Sequence, residues 1–190
     1  MSSVRIEAAT PARREHIAAV MDDCGDASHC WCAFWSRPRS EFRAGWGNGN
    51  RRWFMARLAG DARPPGVLAY VDGEPAGWCA VAPRSEYVRL ARARTLAAVD
   101  DTPVWSITCF VIAKRFRRQG LMRALVDGAV AFASAQGATC VEAYPVDPQR
   151  KMGSGELYTG LSSVFAAAGF AEVARRSPGR PIVRLALDGD

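Results

Sequence analysis

The chain has 190 residues, 49% hydrophobic and 23% charged, which suits an ordinary globular protein with room for one domain and a substantial core. No apolar run reaches the ~18 residues needed to span a bilayer, and the opening MSSVRIEAATPARREH lacks the apolar centre of a signal peptide, so a cytoplasmic location with no membrane partner is expected. The net charge of +6 permits a nucleic-acid binder on number alone, but the arginines are scattered and several fall at one turn, so a small polyanionic ligand accounts for part of the excess and no nucleic acid is expected.

Val4, Ile6 and Ala8 alternate with Arg5 and Glu7, a first strand. Thr10-Pro11 supplies an N-cap and a proline at the first helical position, predicting a helix to about Asp23 with Ile17, Val20 and Met21 inward. Residues 24–54 then hold Trp31, Phe34, Trp35, Phe42, Trp46, Trp53 and Phe54, seven of the eighteen aromatics. Burial is the ordinary fate of any one of them. A helix restarts near Asn50 with Trp53, Phe54 and Leu58 on its buried side. Cys24, His29, Cys30 and Cys32 are soft ligands, but Cys-x5-Cys-x-Cys matches no common zinc spacing, so the cysteines are read as buried or free thiols and no metal is expected. Cys79, Cys109 and Cys140 lie in apolar runs and read as core.

A Pro-rich loop over 61–66 leads to a strand at 67–71, an Asp72-Gly73 hairpin turn and a partner strand at 76–81. The polar, arginine-rich 84–102 reads as a short helix and a loop. Val104 to Ala113 is an apolar run, a buried strand, followed by the basic turn Lys114-Arg115-Phe116-Arg117-Arg118-Gln119-Gly120. Beyond it Leu121, Leu125 and Ala129 recur beside Met122, Val126, Val130 and Ala133, the stripe of an amphipathic helix. A helix start with free N–H groups, glycine and clustered arginines favours a phosphate or pyrophosphate. Gly137 closes the helix and 139–144 forms the next strand, a βαβ unit that demands parallel pairing. After a loop over 145–155, a helix is predicted over 156–168 with Leu157, Leu161, Val164 and Phe165 on one face and Gly169 as its cap. Two strands, starting near 168–173 and over 181–187, end the chain.

Arg117-Arg118-Gln119-Gly120-Leu121-Met122 resembles the (Gln/Arg)-x-x-Gly-x-(Gly/Ala) signature of the GNAT N-acetyltransferase superfamily, with Met122 departing from the usual Gly or Ala. The signature stands between a strand and a helix as in that family, and the order of elements matches along nearly the whole chain. The resemblance implies a single domain over residues 1–190 of mixed α/β (α+β) class: a mostly antiparallel sheet of about seven strands flanked by helices, with a splayed central parallel pair. It implies transfer of an acetyl group from acetyl-CoA, as co-substrate, to a small-molecule or peptide amine acceptor; a non-catalytic sensor of acetyl-CoA or of an amine is the alternative. A homodimer is compatible with this reading.

By resemblance, backbone groups of Phe110, Val111 and Ile112 meet the pantetheine arm, and Arg117, Arg118, Gln119, Gly120, Leu121, Met122 and Arg123 meet the pyrophosphate. Trp31, Phe34 and Trp35 belong to the region that walls the family's acceptor pocket. The central strand carries no carboxylate; the candidates for the base are Glu142, or a water held by Glu142 or Glu156, against the plainer reading of each acid as a structural or solvent-facing residue. The family's acid is often a tyrosine four residues before the Gly-Phe turn; here that position is Phe165, which leaves Tyr158 and Tyr144 as the competing donors, with solvent as the third source. Cys109 is an acyl relay or, more simply, core.

Overall fold

The computed structural model describes residues 3–60, 63–148, 150 and 152–187; the first two residues of the 61–66 loop and two of the 145–155 loop lie outside them. The strands are β1 (Val4–Ala8), β2 (Gly66–Val71), β3 (Glu74–Pro83), β4 (Trp105–Ile112), β5 (Cys140–Ala143), β6 (Ala171–Arg175) and β7 (Pro181–Ala186). The helices are α1 (Arg14–Asp22), α2 (Ala27–Cys30), α3 (Ala33–Ser36), α4 (Arg39–Ala44), α5 (Asn48–Gly60), α6 (Leu121–Ala135) and α7 (Ser162–Ala167). One sheet runs in the order β1-β2-β3-β4-β5-β7-β6. Its neighbours are antiparallel except β4 and β5, which are parallel.

The sheet is covered on both faces, which is why every residue of β2 is buried. On one face α6 packs Leu121, Leu125, Val126 and Ala129 against Val67, Ala69, Val81, Ile107 and Phe110. On the other, Ile17, Val20 and Met21 of α1 and Phe54 and Leu58 of α5 meet Leu68, Tyr70, Trp78 and Val111. Alternate residues of one strand thus serve opposite layers, as the two-residue pleat requires. Among the described residues no helix is long and apolar enough to cross a membrane.

Two irregularities mark β4. Its parallel pairing with β5 stops at Ile107 opposite Ala143, while β4 itself continues to Ile112, so the two strands part. On its other edge the register with β3 slips between Ala80 and Val81, leaving Thr108 as an extra residue. Such a bulge bends a strand and re-aims its side chains.

Several boundaries differ from expectation for local reasons. The first helix opens as a 3-10 turn over Pro11–Arg13 before α1; the Thr10 hydroxyl accepts from Arg13 (3.0 Å) instead of capping. The 84–102 segment forms 3-10 turns at Arg84–Glu86 and Arg94–Leu96 rather than a helix, anchored by Tyr87, Leu90 and Leu96 packing with Tyr144 and Ile182. The helix predicted over 156–168 is a 3-10 turn at Ser154–Glu156 and, separately, α7. Gly160 divides them: its φ is +82°, and Phe165 and Phe110 ring carbons lie 2.8 and 3.0 Å from where a Cβ would stand. Tyr158 therefore sits on a turn, not on a helix two turns before the Gly-Phe corner.

Candidate active site

The basic turn is built as a nest at the end of β4. Arg118 and Gly120 take positive φ values of 60° and 77°, and α6 starts at Leu121. A Cβ on Gly120 would meet no atom within 4 Å, so the space over the first turn of α6 is open and its backbone N–H groups are approachable. The arginines are less free than their number suggests. Arg117 folds back, its Nε donating to the Ile112 carbonyl (3.0 Å) and an Nη to Cys24 Sγ (3.3 Å). Arg115 is tied to Glu74. Arg123 binds Asp127 (2.9 Å) and the Ala167 carbonyl (2.6 Å), and the Gln119 amide donates to the Arg115 carbonyl (2.8 Å). Arg118 alone of these side chains is exposed with no ion pair or hydrogen bond among the described residues. Leu121 is buried and Met122 half-buried against the same core, so the side chain that departs from the signature points inward rather than over the turn.

Where β4 leaves β5, the segment around Tyr158 lies beside it: the Phe110 N–H donates to the Tyr158 carbonyl at 2.6 Å. On the α1/α5 side of this stretch opens a cavity of about 620 Å³. Its floor is Thr108, Cys109 and Val111 of the bulged strand, with Cys30 and Cys32 in one corner. Phe34, Trp35, Phe42 and Trp46 make a wall, joined edge to face at centroid distances of 4.9 Å (Phe34–Trp35), 5.5 Å (Phe34–Phe42) and 5.6 Å (Phe42–Trp46). Asp26, Met152, Gly155, Glu156 and Tyr158 stand on another side, and Thr159 and Arg180 on a third.

The backbone explains the placement of the wall. Trp31 and Cys32 adopt φ of 48° and 49°, a pair of left-handed residues that divides α2 from α3 and turns Cys30 and Cys32 toward the cavity. The same reversal sends Trp31 inward: it is fully buried, 5.8 Å from the Phe54 ring, with its indole N–H on the Ser28 carbonyl (2.8 Å). Of the three aromatics named for the acceptor wall, Phe34 and Trp35 line the cavity and Trp31 does not. Phe42 and Trp46 complete it; Trp46 is half exposed, and nothing in the aromatic run distinguishes it from Trp31.

The titratable groups sort by surroundings. Burial, and then the charge of Asp26, pushes the Tyr158 phenol up to about 12, so it is protonated at neutral pH. The Asp26 carboxylate has no hydrogen bond or ion pair among the described residues, whereas Glu156 is held by Arg150 (2.5 Å) and the Gly153 N–H (3.0 Å). Cys30 is pushed up to about 12 by burial and by Cys32. Its hydrogen bond with Cys32, and then burial, holds Cys109 well above the ordinary thiol range. The Cys30 and Cys109 thiols are therefore neutral, which suits packing and not nucleophilic attack. Among the described residues no group of His, Cys, Asp and Glu is placed to hold a metal ion.

Glu142 and Tyr144 are fully buried and neither lines the cavity. The Tyr144 hydroxyl donates to Glu142 (2.5 Å) and pairs with Ser106 Oγ (2.9 Å). Glu142 is clamped by Arg84 (2.9 Å) and Arg184 (2.8 Å). Ser106 and Glu142 are register partners on β4 and β5, so this network braces the parallel pair just before it parts.

A family model described as "Acetyltransferase (GNAT) family" matches residues 25–159. No curated protein matches the chain. Among solved structures, the GNAT domain of S. lividans PAT is 15% identical, with 97% of this chain and 90% of that one covered and a TM-score of 0.58. The ribosomal-protein-S18-alanine N-acetyltransferase of Escherichia coli is 11% identical, with 97% and 94% covered and a TM-score of 0.53. The PaiA N-acetyltransferase of Thermoplasma acidophilum, in complex with coenzyme A, is 11% identical, with 97% and 99% covered and a TM-score of 0.51.

Proposed function

The chain belongs to the acetyltransferase (GNAT) family, and from that premise we propose that it moves the acetyl group of acetyl-coenzyme A to an amine held in the aromatic cavity. The observation that carries this reading is that the cavity floor lies on the part of β4 that has left β5, and that the turn continuing from the end of this same stretch forms the open nest at Gly120. A ligand running from one to the other follows the splay. The residues fit the co-substrate: free N–H groups at the start of α6 and the unpaired Arg118 suit its phosphates, and the strand edge at Phe110 suits its amide-bearing arm. The Phe110 N–H is occupied by the Tyr158 carbonyl, so binding along the strand exchanges one hydrogen bond for another and shifts the 152–160 segment.

Acetyl-coenzyme A supplies an activated acetyl group, whose C–S bond breaks as the C–N bond to the amine forms. The chain's part is to place the amine and to move two protons. One face of Phe34 is taken by the Arg89 guanidinium (3.7 Å) and one of Trp46 by His29 (5.6 Å); the ring faces of the wall that remain free attract an ammonium. Asp26, the cavity's unpaired carboxylate, takes the proton that the ammonium must lose, directly or through water. The Tyr158 hydroxyl, neutral at working pH, gives its proton to the departing sulfur and is reprotonated, through water, by the second proton that the nitrogen sheds as it becomes an amide. Glu142 and Tyr144, sequestered in their ion network, act as bracing for the strand pair.

Release of free thiol from acetyl-coenzyme A, followed over a panel of amines, tests the proposal. Turnover with at least one amine supports it. Coenzyme A binding without thiol release on any amine would favour the sensor reading instead.

A further inference from the structure

The cavity contains a positive charge that the protein itself does not answer. Arg180 stands just before β7, half-buried, and donates one Nη to the Tyr144 carbonyl (3.2 Å) and to Thr159 Oγ1 (2.5 Å). Both acceptors are neutral, and among the described residues no carboxylate pairs with it. Other half-buried guanidiniums divide: Arg57 meets Glu86, and Arg84 and Arg184 meet Glu142, whereas Arg89 lies over the Phe34 ring and Arg117 folds onto the Ile112 carbonyl, neither with a carboxylate among the described residues. Of the three without a carboxylate, Arg180 is the one that lines the cavity. A cation withdrawn from water without a counter-charge is unfavourable, and burial lowers the Arg180 pKa accordingly. The pantetheine arm carries no charge to offset it, and the turn that suits the phosphates lies at the start of α6.

The second observation is where this cation stands. Thr159, which holds Arg180, follows Tyr158, and Asp26, an exposed carboxylate with no partner among the described residues, lines the same cavity. The cavity thus carries one unpaired charge of each sign. A guanidinium fork matches a carboxylate in two parallel hydrogen bonds, and the apolar wall leaves room for a hydrocarbon body.

We propose that the acceptor is an amine that also carries a carboxylate, of the amino-acid class with an apolar or aromatic side chain. Arg180 binds its carboxylate, Asp26 draws its ammonium, and the Phe34–Trp46 wall covers its side chain. The proposal rests on the acetyl-transfer reading only in taking this cavity as the acceptor site; the reaction is unchanged, with the amine nitrogen acetylated and the coenzyme A thiol released.

Matched pairs that differ by the carboxylate test it: L-phenylalanine with 2-phenylethylamine, and L-leucine with 3-methylbutylamine. Affinity is read by calorimetry in the presence of coenzyme A, and thiol release is read separately with acetyl-coenzyme A. The carboxylated member of each pair should bind at least about tenfold more tightly, the scale of a charge-assisted, bidentate contact. Arg180→Met should erase that difference while leaving the decarboxylated member unaffected, and Arg180→Lys should keep part of it. Circular dichroism shows whether each variant is folded, and the wild-type pairs decide the question even if one is not. A wild-type protein that binds the carboxylated members no more tightly, including one that binds neither, overturns the proposal. So does an Arg180→Met loss that falls equally on both members. Selective binding through Arg180, with no thiol release from these or any other amine of the panel, would replace acetyl transfer by the sensor reading and leave Arg180 as the carboxylate site; equal thiol release from both members would overturn this proposal and leave acetyl transfer standing.

Discussion

Tyr158 and Tyr144 illustrate how surroundings separate two residues of one type. Each is a phenol with a raised pKa, but Tyr158 lines the cavity and Tyr144 is enclosed with Glu142, Ser106 and Arg84. Tyr158→Phe should lower kcat by ~10²-fold with little change in either KM, the signature of a proton donor acting at the transition state. Tyr144 should have no such effect. Glu142→Gln removes the charge that Arg84 and Arg184 share inside the protein, and breaking a buried pair of this kind costs about 3–5 kcal/mol. Thermal melting should show a drop of roughly 10 °C, while kcat measured below the transition stays near wild type; a selective loss of kcat would return Glu142 to the catalytic machinery. The tryptophans divide in the same way. Trp31→Ala should cost stability, about 3–5 kcal/mol for a buried large side chain. Trp35→Ala and Trp46→Ala should instead raise the acceptor KM and leave coenzyme A affinity alone, which calorimetry checks.

At the scale of elements, two left-handed glycines bound the site. Gly120 opens α6 at φ +77° with free space over it. Gly120→Glu would set a side chain and a negative charge where the phosphates are expected, at a backbone strain of about 1–3 kcal/mol. Calorimetry on the folded variant should show coenzyme A binding lost; unchanged affinity would put the co-substrate elsewhere. Gly160 keeps α7 from reaching back to Tyr158, and its neighbours are the rings of Phe165 and Phe110. This is why the 156–168 apolar pattern misled: Leu157, Leu161, Val164 and Phe165 have helical spacing, but periodicity does not register a left-handed residue packed against a ring. The α6 pattern did hold, because nothing interrupts its stripe from Leu121 to Ala133. The break between α2 and α3 was illegible for the opposite reason, since Trp31 and Cys32 are not residues that announce positive φ.

For the whole molecule, the tyrosines give a pH signature. All four, Tyr70, Tyr87, Tyr144 and Tyr158, have pKa values raised chiefly by burial. A raised folded-state pKa means that the native state holds its protons where the unfolded chain, titrating near the ordinary value of about 10, has released them. Stability from this source is complete below pH ~10 and declines as pH rises toward and past about 12. Tyrosinate absorbance should therefore lag a free tyrosine and rise together with loss of the circular dichroism signal; normal titration near pH ~10 in a folded protein would contradict the burial. What the sequence determined by itself is the order of the strands, the α1, α5 and α6 helices, the β2–β3 hairpin, the parallel β4–β5 pair and the basic glycine turn before α6. These come from short-range pattern and from the geometry of a crossover, both properties of contiguous chain. What only the tertiary structure decided is which polar residues meet. Glu142 is answered by Arg84 and Arg184, while Asp26 and Arg180, far apart in sequence, come to one cavity unanswered. Charge pairing depends on which loops face one another once the sheet has formed, and no local spacing encodes that.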